Sequence, residues 1–180
     1  MKSMTICMEC QVQFGVPRFT TSELVEVPDD GVLWSLCDLG HRTAAVLQNQ
    51  KFALLAEIAV EGIVKENYRE AIGTFAASLE RLWEYGLRVI SREQGVPADV
   101  FAAAWKPMSK QSERQLGAFM AAYLIRTGTR APELNQKAVE LRNQVIHHGY
   151  IPSRQDAIRY GQAVADCAYP LLHLLGGAGV

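Results

Sequence analysis

The stretch "LRNQVIHHGYIPS", residues 141–153, places an arginine, an asparagine and two adjacent histidines within seven positions. The chain has four histidines, and two of them lie here. A guanidinium can hold phosphoryl oxygens through its planar fork, and an imidazole exchanges a proton near neutral pH. Together they suit chemistry on a phosphate. On a helix turning about 100° per residue, Leu134, Ala138, Leu141 and Val145 form an apolar stripe, with His148 at its edge. Asn143 lies one turn before His147, with Gln136 and Glu140 on the same side. Arg142 sits ~140° from His147 and must swing its side chain to meet it. Val139 and Ile146 flank Arg142 as a second apolar strip, so this helix has more than one packing partner, and a second subunit is one candidate. Gly149 and Pro152 end the helix, leaving both histidines at its negative end, where imidazolium is favoured. Arginine and histidine at a helix C-terminus are also ordinary dipole partners. Tyr150 reads first as a packing residue close enough to touch a substrate, and His148 as a helix-end residue.

A second set of residues could bind a metal. Cys7-x2-Cys10 is followed, after 26 residues, by Cys37-x3-His41. Two short ligand pairs on two turns are what a tetrahedral zinc site requires. Gly40 eases the bend in "CDLGH". Three thiolates and one imidazole leave no open coordination position, so the expected role is structural. Scattered reduced cysteines and a surface histidine are the simpler alternative. Cys167 lies beside Ala168 in a helical pattern and reads as a small buried residue.

Two kinds of element must position these groups. In residues 1–41, "SELVEV" and "VLWSLC" read as short strands joined by "PDDG", giving a small β zinc ribbon. So small a segment with few large apolar residues needs a staple. Residues 42–180 read as helical. Helical spacing groups Phe52, Leu55, Ala59 and Ile63; then Ile72, Phe75, Leu79, Leu82, Trp83 and Ile90; then Phe101 and Trp105 before Pro107. It also groups Leu116, Phe119, Met120 and Tyr123, and a last run from Ala157 to Leu175 with Pro170 as an expected kink. Short Gly- or Pro-bearing connections predict an antiparallel helical bundle. Ser153, before "RQDAIRY", and Ser112 read as helix caps.

Composition narrows the function. Apolar residues are 49% and charged residues 21%, with a formal net charge of −1. That balance gives no global attraction to nucleic acid or membrane, so a polyanion must be gripped by a local patch. Arg42, Lys110, Arg114, Arg126 and Arg130 are the candidates. No run of about 18 apolar residues occurs, and no membrane partner is expected. "MKSMTICMEC" lacks the apolar core of a signal peptide, so a cytoplasmic location with reduced thiols is expected. No Gly-rich phosphate loop, catalytic carboxylate pair or Cys/His nucleophile pair points to another enzyme class.

The segment "LRNQVIHHGYIPSRQDAIRYGQAVADCAYPLLHLL" resembles the end of a HEPN domain, a helical-bundle family of prokaryotic defence and toxin systems. Arg142, Asn143 and His147 fit its motif of an arginine, a polar residue and a histidine four to six positions on. The doubled histidine leaves a longer spacing through His148 open, and the position of "GYIP" favours His147. "REAIGTFAASLERLWEYGLRVI" resembles the earlier helix that carries an acidic residue facing the motif, here Glu80 or Glu84. The resemblance spans roughly residues 42–175. It implies a homodimeric, metal-independent endoribonuclease that leaves 2′,3′-cyclic phosphate and 5′-hydroxyl ends. Catalysis would fall to Arg142, Asn143 and His147, with His148 and Tyr150 on the substrate side. It also implies RNA as partner, a toxin or antiviral role, and an antitoxin or other regulatory protein. The competing expectation is a non-catalytic module of the same shape that binds nucleic acid, nucleotide or protein.

Overall fold

The computed structural model describes residues 2–19 and 25–176, which fall into two compact units, Met1–Asn49 and Gln50–Val180. The boundary lies eight residues beyond the expected one at His41. The reason is strand pairing: β5 (Val32–Leu36) is joined antiparallel to β6 (Arg42–Val46), with Val32 opposite Val46 and Leu36 opposite Arg42. The Ala-rich "RTAAV" therefore belongs to the first unit, although its composition suits a helix. Ladder pairing with a neighbouring strand outweighs local propensity here.

Two further short antiparallel pairings occur in this unit. β1 (Lys2–Ser3) pairs with β4 (Val25–Glu26), and β2 (Ile6–Cys7) with β3 (Arg18–Phe19). Of the expected strand "SELVEV", Ser22–Leu24 lies outside the described residues. The expected all-β ribbon needs correction, because β2 runs straight into a helix, α1 (Met8–Phe14).

The second unit is made of helices. They are α2 (Lys51–Val64), α3 (Tyr68–Glu93), α4 (Ala98–Met108), α5 (Ser112–Thr127), α6 (Gln136–His147) and α7 (Arg154–Gly176). α3 is the spine, with α2, α5, α6 and α7 packed on it. The apolar face read from its spacing is the buried face: Ile72, Phe75, Leu79, Leu82 and Trp83 are all in the core. Phe119 and Tyr123 of α5, Val145 of α6, and Ala157, Tyr160, Val164 and Leu171 of α7 complete it. Each fully buried side chain of the Leu or Phe class contributes roughly 1.5–3 kcal/mol. The last helix runs through Pro170. Cys167 is buried there as expected, and burial raises its thiol to about 11. Among the described residues, no helix is long and apolar enough to cross a membrane.

Candidate functional site

The first site lies within the N-terminal unit. Cys7 precedes α1, and Cys10 falls in its first turn, so helix geometry brings the two thiols to one end. Sequence reading expected a knuckle turn instead. Cys37 and His41 sit on the turn between β5 and β6. The Cys37 N–H donates to the His41 carbonyl at 3.0 Å, and the Gly40 N–H donates to the Cys37 carbonyl at 2.8 Å. Gly40 takes φ +82°, the left-handed conformation that a side chain would resist.

The four ligand atoms lie within 4.8 Å of one another. Cys10 Sγ is 3.8 Å from Cys37 Sγ, and His41 Nδ1 is 3.4 Å from Cys10 Sγ and 3.8 Å from Cys7 Sγ. A tetrahedral ion with ordinary zinc bond lengths would set sulfur–sulfur edges of about 3.8 Å and sulfur–nitrogen edges of about 3.6 Å. The donor set fits a structural metal of this kind. The thiols differ in acidity. Burial opposes ionisation of Cys37, but the backbone N–H groups of His41 and Leu39 and the neighbouring thiols outweigh it, bringing Cys37 to about 7. Burial and the neighbouring sulfurs push Cys10 up to about 11. A cation between them would favour ionisation of both.

The second site lies in the bundle. Asn135 caps α6, its side-chain oxygen accepting from the Ala138 N–H at 3.0 Å. Arg142 and Asn143 then face a cavity shared with Glu80 of α3 and Tyr160 of α7. Arg142 Nη1 donates to Asn143 Oδ1 at 3.0 Å, and Arg142 Nη2 lies 3.9 Å from Glu80 Oε1. This resolves the choice of acidic neighbour. Glu80 faces Arg142, whereas Glu84 is engaged by Arg81 at 2.6 Å and Arg88 at 2.7 Å. Ser112, expected as a cap, is the first residue of α5 and donates to Glu80 Oε1 at 2.6 Å.

His147 is not brought into this cavity. It is exposed at the end of α6 and makes no hydrogen bond or ion pair among the described residues. The amide oxygen of Asn143 serves Arg142 rather than His147. His148 forms the C-cap and places Nδ1 3.2 Å from the Asn143 carbonyl. Gly149 reverses the chain at φ +69°. The N–H groups of His148 and Tyr150 both donate to the Gln144 carbonyl at 3.1 Å.

The exit "GYIPS" is tied down by Asp156. Its Oδ2 accepts from the Ser153 N–H at 2.9 Å, from Ser153 Oγ at 2.7 Å and from Tyr150 Oη at 3.3 Å. Ser153 Oγ in turn accepts from the Asp156 N–H at 3.2 Å, a capping box at the start of α7. Ser153, with Arg159 and Tyr150 assisting, holds the carboxyl at about 2. Tyr150 is thus a fixed residue with a partly exposed ring.

Of the five candidate cations, Arg126 is paired with Glu93 at 2.6 Å and Arg130 with Glu133 at 2.8 Å, while Arg42, in the other unit, lies over the Trp34 ring at 4.8 Å. Tyr160, Trp83, Ser112, Glu113 and Glu133 are among the cavity residues that motif reading did not select as functional. The spacing Arg81–Glu84–Arg88 was the available clue that Glu84 was already engaged. No protein-family model, curated protein or solved structure matches this chain.

Proposed function

We propose that the chain is a homodimeric endoribonuclease of the HEPN type that needs no metal for cleavage. The observation that carries this reading is the division of labour on α6. Arg142 is held beside Glu80, whereas His147 one helix end away is exposed and uncommitted. One protomer does not gather the two groups. Two copies facing each other across a two-fold axis would gather two of each in one cleft. The half-exposed Ile146 supplies apolar surface on the same helix for such a contact.

In this mechanism His147 takes the proton of a ribose 2′-hydroxyl. The 2′-oxygen attacks the adjacent phosphorus, and the 5′-oxygen departs, protonated by the second imidazole or by water. The products are a 2′,3′-cyclic phosphate and a 5′-hydroxyl. Arg142 stabilises the added negative charge, and Asn143 orients Arg142 through their hydrogen bond. His148 and Tyr150 border the RNA path. A structural zinc on Cys7, Cys10, Cys37 and His41 holds the N-terminal unit, and the protein works in the cytoplasm as a toxin or antiviral effector under a regulatory partner.

The test incubates purified protein with mixed RNA in EDTA, beside His147→Ala and Arg142→Ala. Cleavage by the parent, falling ~10²- to 10³-fold in each variant, is the expected result. A folded dimer that binds RNA without cutting it would instead establish the binding-module reading, which the net charge of −1 favours. Metal analysis should find about one zinc per chain.

A further inference from the structure

The cavity bounded by α3, α5, α6 and α7 has a volume of about 230 Å³. Drug-sized ligands occupy pockets of roughly 300 Å³ or more, so this one suits a single ring system and not a whole nucleotide. Leu79, Trp83, Leu116 and Val139 give it apolar walls. Its charges are lopsided: Glu80 and Glu113 stand against Arg142, while Glu133 is paired with Arg130 at 2.8 Å. A phosphate entering there would meet two carboxylates besides the paired Glu133, against one guanidinium. A neutral ligand rich in hydrogen-bond donors would meet no such penalty.

Several polar groups in this cavity have unused capacity. Glu80 Oε1 accepts from Ser112, while Oε2 accepts nothing among the described residues. Arg142 spends one N–H on Asn143, and its 3.9 Å approach to Glu80 is too long for a hydrogen bond. Tyr160 is 1% exposed, and its hydroxyl makes no hydrogen bond among the described residues. Burial raises this phenol to about 12, with Arg142 opposing and Glu80 adding to the shift. Trp83 is 8% exposed, and its indole N–H is buried without a partner. Buried polar groups are nearly always satisfied, by protein, water or ligand.

A carboxylate beside a guanidinium reads an edge with two adjacent donors and an acceptor. Among the four RNA bases guanine alone offers this, with N1–H and N2–H beside O6. Adenine and cytosine place one exocyclic donor beside an acceptor, and uracil sets one N–H between two acceptors.

We infer that this cavity is a guanine-base pocket, with Glu80 accepting from the N1–H and N2–H groups and Arg142 donating to O6. Leu79, Leu116 and Val139, with the edge of Trp83, border the flat ring. The ribose and any phosphate remain outside, where the carboxylates do not oppose them. The pocket goes beyond the nuclease reading and does not depend on it, because it is tested on a free nucleoside. In a dimeric nuclease one copy of Arg142 would hold the base and the other copy the phosphate.

The experiment is calorimetric titration of the full chain with guanosine, adenosine, cytidine and uridine, without RNA. Guanosine should bind about tenfold or more tighter than the other three. Glu80→Gln should weaken guanosine about 10- to 100-fold, the discrimination of one bidentate base contact. Val139→Phe, at a half-exposed lining position, should fill the void and abolish binding, while the helical circular-dichroism melt stays at the parent's temperature. That second variant decides the matter if Glu80→Gln does not fold. Equal affinity for all four nucleosides, no binding, or guanosine affinity untouched by the folded variants would overturn the pocket. A chain that cleaves RNA but does not bind guanosine overturns this inference alone. A chain that binds guanosine but leaves RNA intact overturns the nuclease alone.

Discussion

The N-terminal unit and the helical unit bury different things. In residues 2–49 the fully enclosed apolar side chains are Leu33 and the three cysteines, while Met4, Met8, Val12, Phe14, Trp34 and Leu36 are exposed. In residues 50–176 a continuous cluster runs from Ala59 to Leu171 and takes residues from every helix except α4. Among its described residues the first unit has almost no hydrophobic core, and the four converging sulfur and imidazole groups are the candidates to hold it together. The second buries a large apolar cluster of its own. Removal of apolar surface from water carries the helical unit, and a metal held by the four ligands would do the same for the first.

That contrast can be broken most forcefully at the cysteines. Cys10→Ser removes one of the four candidate ligands, and a structural zinc held there would contribute on the order of 10 kcal/mol. The expected outcome is loss of bound metal and collapse of amide chemical-shift dispersion for residues 2–49, with residues 50–176 unchanged. Dispersion that survives in both halves would mean that the ligands are not the staple. A smaller effect is expected from Leu82→Ala, since Leu82 is 2% exposed in the bundle core. It should cost about 2–5 kcal/mol in urea unfolding of the bundle, and metal content should not move.

Asp156 sharpens the comparison through pH. Its folded carboxyl lies near 2, below the usual 3.8, so its charged form is stabilised by folding. The contribution is fully present above about pH 4 and disappears as pH falls through about 2. Asp156→Asn should therefore lower bundle stability by about 1–2 kcal/mol at pH 7, and the gap from the parent should close in acid. A gap that persists at pH 2 would assign the loss to packing instead. The smallest change is Asn135→Ala, which removes the α6 cap and should cost about 1 kcal/mol by thermal melting.

Much of the bundle was legible because its signal is periodic. Ile72, Phe75, Leu79 and Leu82 recur at helical spacing, and the same residues are buried on α3. The four metal-ligand candidates were legible because they pair up in short spacings, and they converge in space. α1 was not legible. Its Met8, Val12 and Phe14 are exposed and only Cys10 is buried, so the amphipathic pattern that announces a helix is missing. β6 was read as helix because its pairing with β5 is a tertiary fact that "RTAAV" does not encode. Glu80 and Glu84 lie one turn apart on the same face, so spacing alone could not separate them. The arginines on either side of Glu84 could have done so. The cavity was invisible for a different reason. Trp83 and Tyr160 are spaced for burial, and nothing in the sequence tells a core aromatic from one lining a void.

The Asp156 clasp has a consequence for motion. With Ser153 and Tyr150 tied to one carboxylate, the backbone leaving α6 has little freedom to drift. His147 just ahead of it can still turn about its own side-chain bonds, on a picosecond-to-nanosecond scale. The imidazole is therefore a fast swivel on a stiff mount, and relaxation measurements should find a quiet main chain beneath a lively ring.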